Sequence, residues 1–298
     1  MRHSKKNAKQ CRVISKKRIR RTRIKKRPKH DKKNRRYTVK RPKRGGGKLK
    51  CGPLGREDDA LPTCYTDEHL KDLQLMWNVR HPDDQNHSTS PADIWAFLSG
   101  KYKNICDTER CWIGDKTATK GMRLPSQKGA SVPSRAFLPD APVSWSKNIN
   151  EWLSSTDISR VMRDYELRYS CFEFIGPSPI DYAAKTVEGS GFITEYVYPE
   201  LKNFSVEKTL ARGRRKIGIV FNLDPHTEEG SHWVALYLDL KARRTCYFDS
   251  TGNEIPNEIL TFIDNLGSGK KSFHMEQITE IKHQQKNTEC GIYAMYFL

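Results

Sequence analysis

The chain has 298 residues, with 54 Lys or Arg against 35 Asp or Glu and a net charge of +19. That length suits one large domain with appendages. No apolar stretch reaches signal-peptide or membrane-spanning length, so neither a secretory leader nor a membrane-embedded protein is expected.

The charge is unevenly placed. Residues 1–50 hold 25 of the 54 basic residues and a single acid, Asp31, so the remainder is slightly acidic. A block of one sign predicts a disordered basic arm that binds an anionic partner. Residues 18–27 interleave Ile19, Thr22 and Ile24 with seven basic residues, which suits a nuclear import receptor, an anionic membrane surface, or salt-dependent, sequence-independent contact with nucleic acid through residues 1–44. Gly45-Gly46-Gly47 follows as a hinge.

Eight cysteines are spread along the chain. Without a leader they read as free thiols in a reducing compartment. Cys106 and Cys111 lack a second ligand pair at zinc-site spacing.

A helical accessory domain is expected over 51–165. Within 57–80, Thr66-Asp67-Glu68 opens a helix, with Leu70, Leu73 and Trp77 on one face. Ser90-Pro91 opens a second, carrying Ile94, Trp95, Phe97 and Leu98. Residues 116–142, rich in Gly, Pro and Ser, read as surface loops. Residues 148–165 read as one or two helices with an internal start at Thr156-Asp157. Their core face would be Trp152, Leu153, Ile158, Val161, Met162 and Tyr165.

The second domain spans 166–298 and reads as α+β. Residues 171–181 give a short strand and a proline-rich turn, and 193–198 a strand or cleft loop. Residues 216–223 are an apolar, β-branched run and read as a buried strand. A loop leads to Ser231-His232-Trp233 and a strand that pairs antiparallel with the one before. Residues 244–248 form another strand, with Asp249 at its end. An amphipathic helix over 255–265 uses Ile255, Ile259, Phe262 and Ile263. Residues 273–283 give a further strand that delivers Gln284-Gln285. Cys290 then opens a buried apolar helix.

The order His232, Asp249, Gln284, Cys290 carries chemistry. A thiol becomes a strong nucleophile on losing its proton, which an imidazole can take. A carboxylate orients that imidazole, and an amide donates to the oxyanion of an attacked carbonyl. A helix start favours the thiolate form of Cys290. His226, His274 and His283 compete for the base, and Glu254, Asp264 and Asn253 for its partner, but none has the same strand context or spacing.

These motifs resemble the adenain and SUMO-deconjugating, or Ulp-like, cysteine proteases. There the nucleophile follows the histidine and the acid, reversing papain's order. The family's His-Trp pair matches His232-Trp233, its Asp-Ser matches Asp249-Ser250, and its acidic residue, cysteine and glycine match Glu289-Cys290-Gly291. Its oxyanion glutamine, six residues before the cysteine, matches Gln284, with Gln285 as the neighbouring alternative. The resemblance implies a papain-related core over about 170–298 that needs no metal or cofactor. It also implies a protein or polyprotein substrate cut after small-residue pairs such as Gly-Gly, so Gly45-Gly46-Gly47 is itself a candidate site. Phe174-Ile175-Gly176-Pro177-Ser178-Pro179-Ile180-Asp181-Tyr182 resembles a phrase preceding the core in maturation proteases of large cytoplasmic DNA viruses. That implies a virion and a host-cytoplasmic setting, with the nucleus as alternative. A cellular-type modifier protease and a non-enzymatic nucleic-acid-binding protein are the rival readings. The chain stops eight residues after Cys290, and the resemblance implies that the family's domain continues further.

Overall fold

A computed structural model describes residues 51–114, 133–187, 193–267, 272–278 and 281–298. The basic arm, the Gly45-Gly46-Gly47 hinge and most of the loop expected over 116–142 lie outside these residues. The chain divides into two compact units, Met1–Leu138 and Pro139–Leu298. The boundary expected at 165/166 therefore moves to 138/139. The reason is packing: Ile158 and Met162 bury against Phe172 and Val220 of the second unit.

The first unit is helical, with α1 (Asp67–Arg80), α2 (Pro91–Tyr102) and the short α3 (Cys111–Gly114). Thr66 caps α1, and His69, in place of an acid, completes the reciprocal box. Ser90 caps α2, with Pro91 in the first turn. Their apolar faces bury Leu70, Leu73, Trp77, Ile94 and Leu98 around Tyr65 and Trp112. Glu109 accepts from Thr63 Oγ1 at 2.6 Å and from Trp95 Nε1 at 2.7 Å, which pairs these polar groups at the edge of the core. The free-thiol expectation is corrected here. Cys51–Cys64 and Cys106–Cys111 are disulfides, because the local chain path brings their Cα atoms to 5.2 and 5.5 Å. Among the described residues, Cys290 is a free thiol.

The second unit is α+β. Helix α4 (Ser155–Arg168) precedes β1 (Phe172–Pro179), β2 (Lys185–Val187) and β3 (Ile193–Tyr196). Next come α5 (Pro199–Lys202), α6 (Val206–Ala211), β4 (Lys216–Asn222), β5 (Trp233–Asp239) and β6 (Arg244–Phe248). The unit ends with α7 (Asn257–Leu266), β7 (His274–Ile278) and α8 (Cys290–Phe297). Ser154, not Thr156, caps α4, with Asp157 answering it. Trp152 and Tyr165, expected in the core, are each 38% exposed.

Five strands form one sheet in the order β1-β4-β5-β6-β7, antiparallel at β4/β5 and β5/β6 and parallel at both edges. Period-two alternation separates its faces. Ile217, Ile219, Phe221, Val234 and Leu236 pack against Ile259, Phe262 and Ile263 of α7. Val220, Trp233 and Ala235 face α4 and α8 on the other side. Five strands between two helical layers give the α+β class expected from the sequence. No helix among the described residues is long and apolar enough to cross a membrane.

Candidate active site

The site lies at the end of the sheet where β4 turns into β5. Asn222 Oδ1 accepts from Asp224 N at 3.1 Å and Ser231 N at 3.3 Å, which folds the loop back on itself. Gly230 has φ +96°, and a Cβ there would stand 2.1 Å from Asn222 Nδ2, so the turn requires glycine. Leu223 N donates to His232 O at 3.0 Å, and β5 begins at the next residue. His232 is thus held at the mouth of the strand pair.

Asp249 follows β6 directly. The register Ala235↔Phe248 brings the ends of β5 and β6 together. His232 Nε2 lies 2.7 Å from Asp249 Oδ1. The carboxylate is 0% exposed. Thr251 donates to the same oxygen through its N and its Oγ1, each at 2.7 Å. Burial pushes the Asp249 pKa up, but the bonds from His232 and Thr251 outweigh it and hold the carboxyl below its ordinary value.

Cys290 is the first residue of α8 and is 1% exposed. Small residues let this helix lie against β5: Ala235 beneath it, with Gly291 and Ala294 on its inner face. A Cβ on Gly291 would be 3.2 Å from Trp233 Cδ1 and 3.3 Å from Leu153 Cβ. Trp233 is itself fixed, since its Nε1 donates to Leu153 O at 3.1 Å. The turn before Cys290 is drawn together by Glu289 Oε2, which accepts from Gln285 N at 2.8 Å and Lys286 N at 3.2 Å.

The imidazole therefore stands between acid and thiol. Burial lowers the His232 pKa, but hydrogen bonds to Asp249 and Cys290 overcome it and raise the value to about 9. Because Nε2 is taken by Asp249, Nδ1 is the nitrogen left for the sulfur. An imidazole with this surrounding can accept a thiol proton and hold it.

Gln284 is buried, and its Oε1 accepts from Ser250 Oγ at 2.6 Å. Gln285 is exposed, and its N is turned to Glu289. Of the two candidates, burial and bonding place Gln284 beside Asp249-Ser250. Of the competing histidines, His226 bonds Asp181 at 2.6 Å, His274 is exposed, and His283 adjoins the site through its N–H on Ser250 O at 2.8 Å while its ring packs against Phe248 and Tyr293. Asn253 Nδ2 donates to Thr251 Oγ1 at 2.7 Å, behind the acid. The resemblance matched Ser250 only as part of the Asp-Ser motif, and Thr251 carried no assigned role. Their spacing after an aspartate, where an i+2 N–H returns to the carboxylate, is the sequence signal for their role. Among the described residues, no group of three or more His, Cys, Asp or Glu is placed to hold a metal.

Residues 217–298 match the model of the Ulp1 protease family, C-terminal catalytic domain. A protein of Acanthamoeba polyphaga mimivirus named as a thiol protease is 26% identical over 273 residues, covering 83% of this chain and 82% of the relative. A cysteine protease of African swine fever virus is 26% identical over 215 residues, covering 69% of this chain and 77% of the relative. The crystal structure of the selenomethionine form of the African swine fever virus protease superposes with a TM-score of 0.50 at 19% identity, covering 84% of this chain and 86% of that one, and shows a shared fold. The chain is therefore similar over most of its length to viral cysteine proteases, and its residues 217–298 match the Ulp1-type catalytic domain.

Proposed function

We propose that the chain is an endopeptidase that cleaves after paired small residues, of the Gly-Gly-X kind, and processes a core or capsid polyprotein during virion maturation, in the virion and the host cytoplasm. The observation that carries the mechanism is His232 bonded to Asp249 at 2.7 Å, with Cys290 near enough to help raise the pKa of the same ring. Cys290 attacks the peptide carbonyl, and His232 takes the thiol proton and returns it to the leaving amine. Asp249 orients the ring and stabilises its charged form. Gln284 Nε2 and the Cys290 N–H donate to the oxyanion. Water then hydrolyses the thioester with His232 as base.

The viral setting is supported by the two relatives named above, each a protease of a large virus. A second reading has its own support, because relatives from other African swine fever virus isolates carry the name SUMO-1 cysteine protease. That reading needs the same chemistry and a folded ubiquitin-like modifier as substrate. The test incubates the full chain with Gly-Gly-X peptides, a denatured polyprotein and a folded modifier conjugate, with Cys290→Ala as control. Cleavage of peptides and polyprotein, lost in Cys290→Ala, is expected. Cleavage confined to the folded conjugate would favour the second reading, and cleavage retained by Cys290→Ala would remove both.

A further inference from the structure

The geometry points to Ser250 as a positioning residue that sets which end of the Gln284 amide faces the reacting carbonyl. This rests on the oxyanion role given to Gln284 above. Ser250 sits one residue beyond Asp249 and is buried, as is Gln284. Three hydrogen bonds run from it to the Gln284 segment. Its Oγ donates to Gln284 Oε1 at 2.6 Å. Its carbonyl accepts from His283 N at 2.8 Å and Gln284 N at 3.1 Å.

The carbonyl and the hydroxyl do different things. The two backbone bonds fix where the Gln284 main chain runs past the end of β6. They leave the side-chain amide free to turn over. A primary amide has an acceptor end and a donor end of almost equal size. With the oxygen toward an oxyanion it repels, and with the nitrogen it stabilises. The Ser250 hydroxyl engages Oε1 in surroundings closed to water, so Nε2 is the end left for the substrate. One turn thus serves both halves of the chemistry. Asp249 fixes the tautomer and tilt of His232, and the next residue fixes the polarity of Gln284.

The test measures kcat, KM and the thermal midpoint on one peptide substrate for the full chain, Ser250→Ala, Gln284→Ala and the double variant. Ser250→Ala is expected to lower kcat about tenfold, the size of one buried hydrogen bond, with KM little changed. The double variant is expected to be no slower than Gln284→Ala alone, since the hydroxyl acts through the amide. The alkaline limb of the pH profile is expected to stay in place, because the His232–Asp249 pair is untouched. Ser250→Cys, similar in size with a much weaker donor, should reproduce the loss and serves should the alanine variant unfold. An equal kcat loss from Ser250→Ala in both backgrounds, or a shifted limb, would overturn the inference. If Gln284→Ala slows turnover while both Ser250 variants match the parent, the positioning role fails and the oxyanion role stands. If Gln284→Ala itself turns over normally, the oxyanion role fails, and the inference with it.

Discussion

At the scale of single residues, His232 is subject to two opposed influences. Burial favours the neutral ring, and the Asp249 carboxylate and Cys290 sulfur favour the charged one. The outcome, a value raised from 6.5 to about 9, fixes the sign of its pH dependence. A raised histidine contributes to the folded state fully below its ordinary pKa, and that contribution is lost as pH rises through about 9. The same proton is the one handed to the leaving amine. Measured kcat/KM is therefore expected to fall along an alkaline limb near pH 9. Asp249→Asn removes the charge that holds the ring protonated, so its limb should move to lower pH, and activity should drop by roughly 10³–10⁴. A limb at the same pH in both enzymes would show that Asp249 does not govern the ring. His232, Asp249 and Cys290 were legible in the sequence because each is a residue type the chemistry demands at the end of a recognisable element. Gln284 was favoured over Gln285 only by the spacing the resemblance implies, because the residues themselves do not show which of two adjacent glutamines is buried. The bonding roles of Ser250 and Thr251 were not legible for another reason: a motif match or a turn position does not say which group a hydroxyl will bond.

At the scale of elements, α8 brings the sulfur to the ring by lying close on β5. That closeness depends on side chains of minimal size at Ala235, Gly291 and Ala294. Ala235→Leu places three extra carbons beneath the helix, and overpacking of this kind costs ~1–3 kcal/mol. Cys290 should then be displaced from His232. The expected result is a fall in kcat/KM of at least about tenfold, larger than the modest drop in thermal midpoint would suggest, because misplacement on the ångström scale is costly to catalysis. Parental kinetics in a folded Ala235→Leu protein would separate α8 packing from activity. The central strands were legible as short apolar, β-branched runs, and the helices from Thr66, Ser90 and the apolar spacing of α7. The start of α4 was misplaced by two residues because Ser154, Ser155 and Thr156 are all capable caps, and only geometry selects one. Trp152 and Tyr165 were assigned to the core on hydrophobicity alone. Large amphipathic aromatics satisfy that pattern while leaving much of their surface in water.

At the scale of the molecule, charge and chemistry are divided along the chain. The 25 basic residues of positions 1–50 lie outside the second unit, which holds His232, Asp249, Gln284 and Cys290. We propose that residues 1–44 contact nucleic acid without regard to sequence. Deleting them is expected to abolish low-salt retention on immobilised DNA, with a steep dependence on salt in the parent, and to leave peptide cleavage unchanged. Equal retention of the two proteins would dismiss this role. The division of the chain was only partly legible. The composition break near residue 50 is visible as charge, but the limit at 138/139 depends on α4 packing against the sheet across a long stretch of sequence.

The account stands on one contact, between the Cys290 sulfur and the His232 ring backed by Asp249. It is tested most directly by the rate at which a Gly-Gly vinyl-sulfone probe labels Cys290, followed by mass spectrometry in the parent and in His232→Ala. Rapid labelling confined to Cys290, slowed by orders of magnitude without the imidazole, is the predicted result. Labelling at the same rate in both proteins would mean that the histidine does not activate the thiol, and would contradict the account.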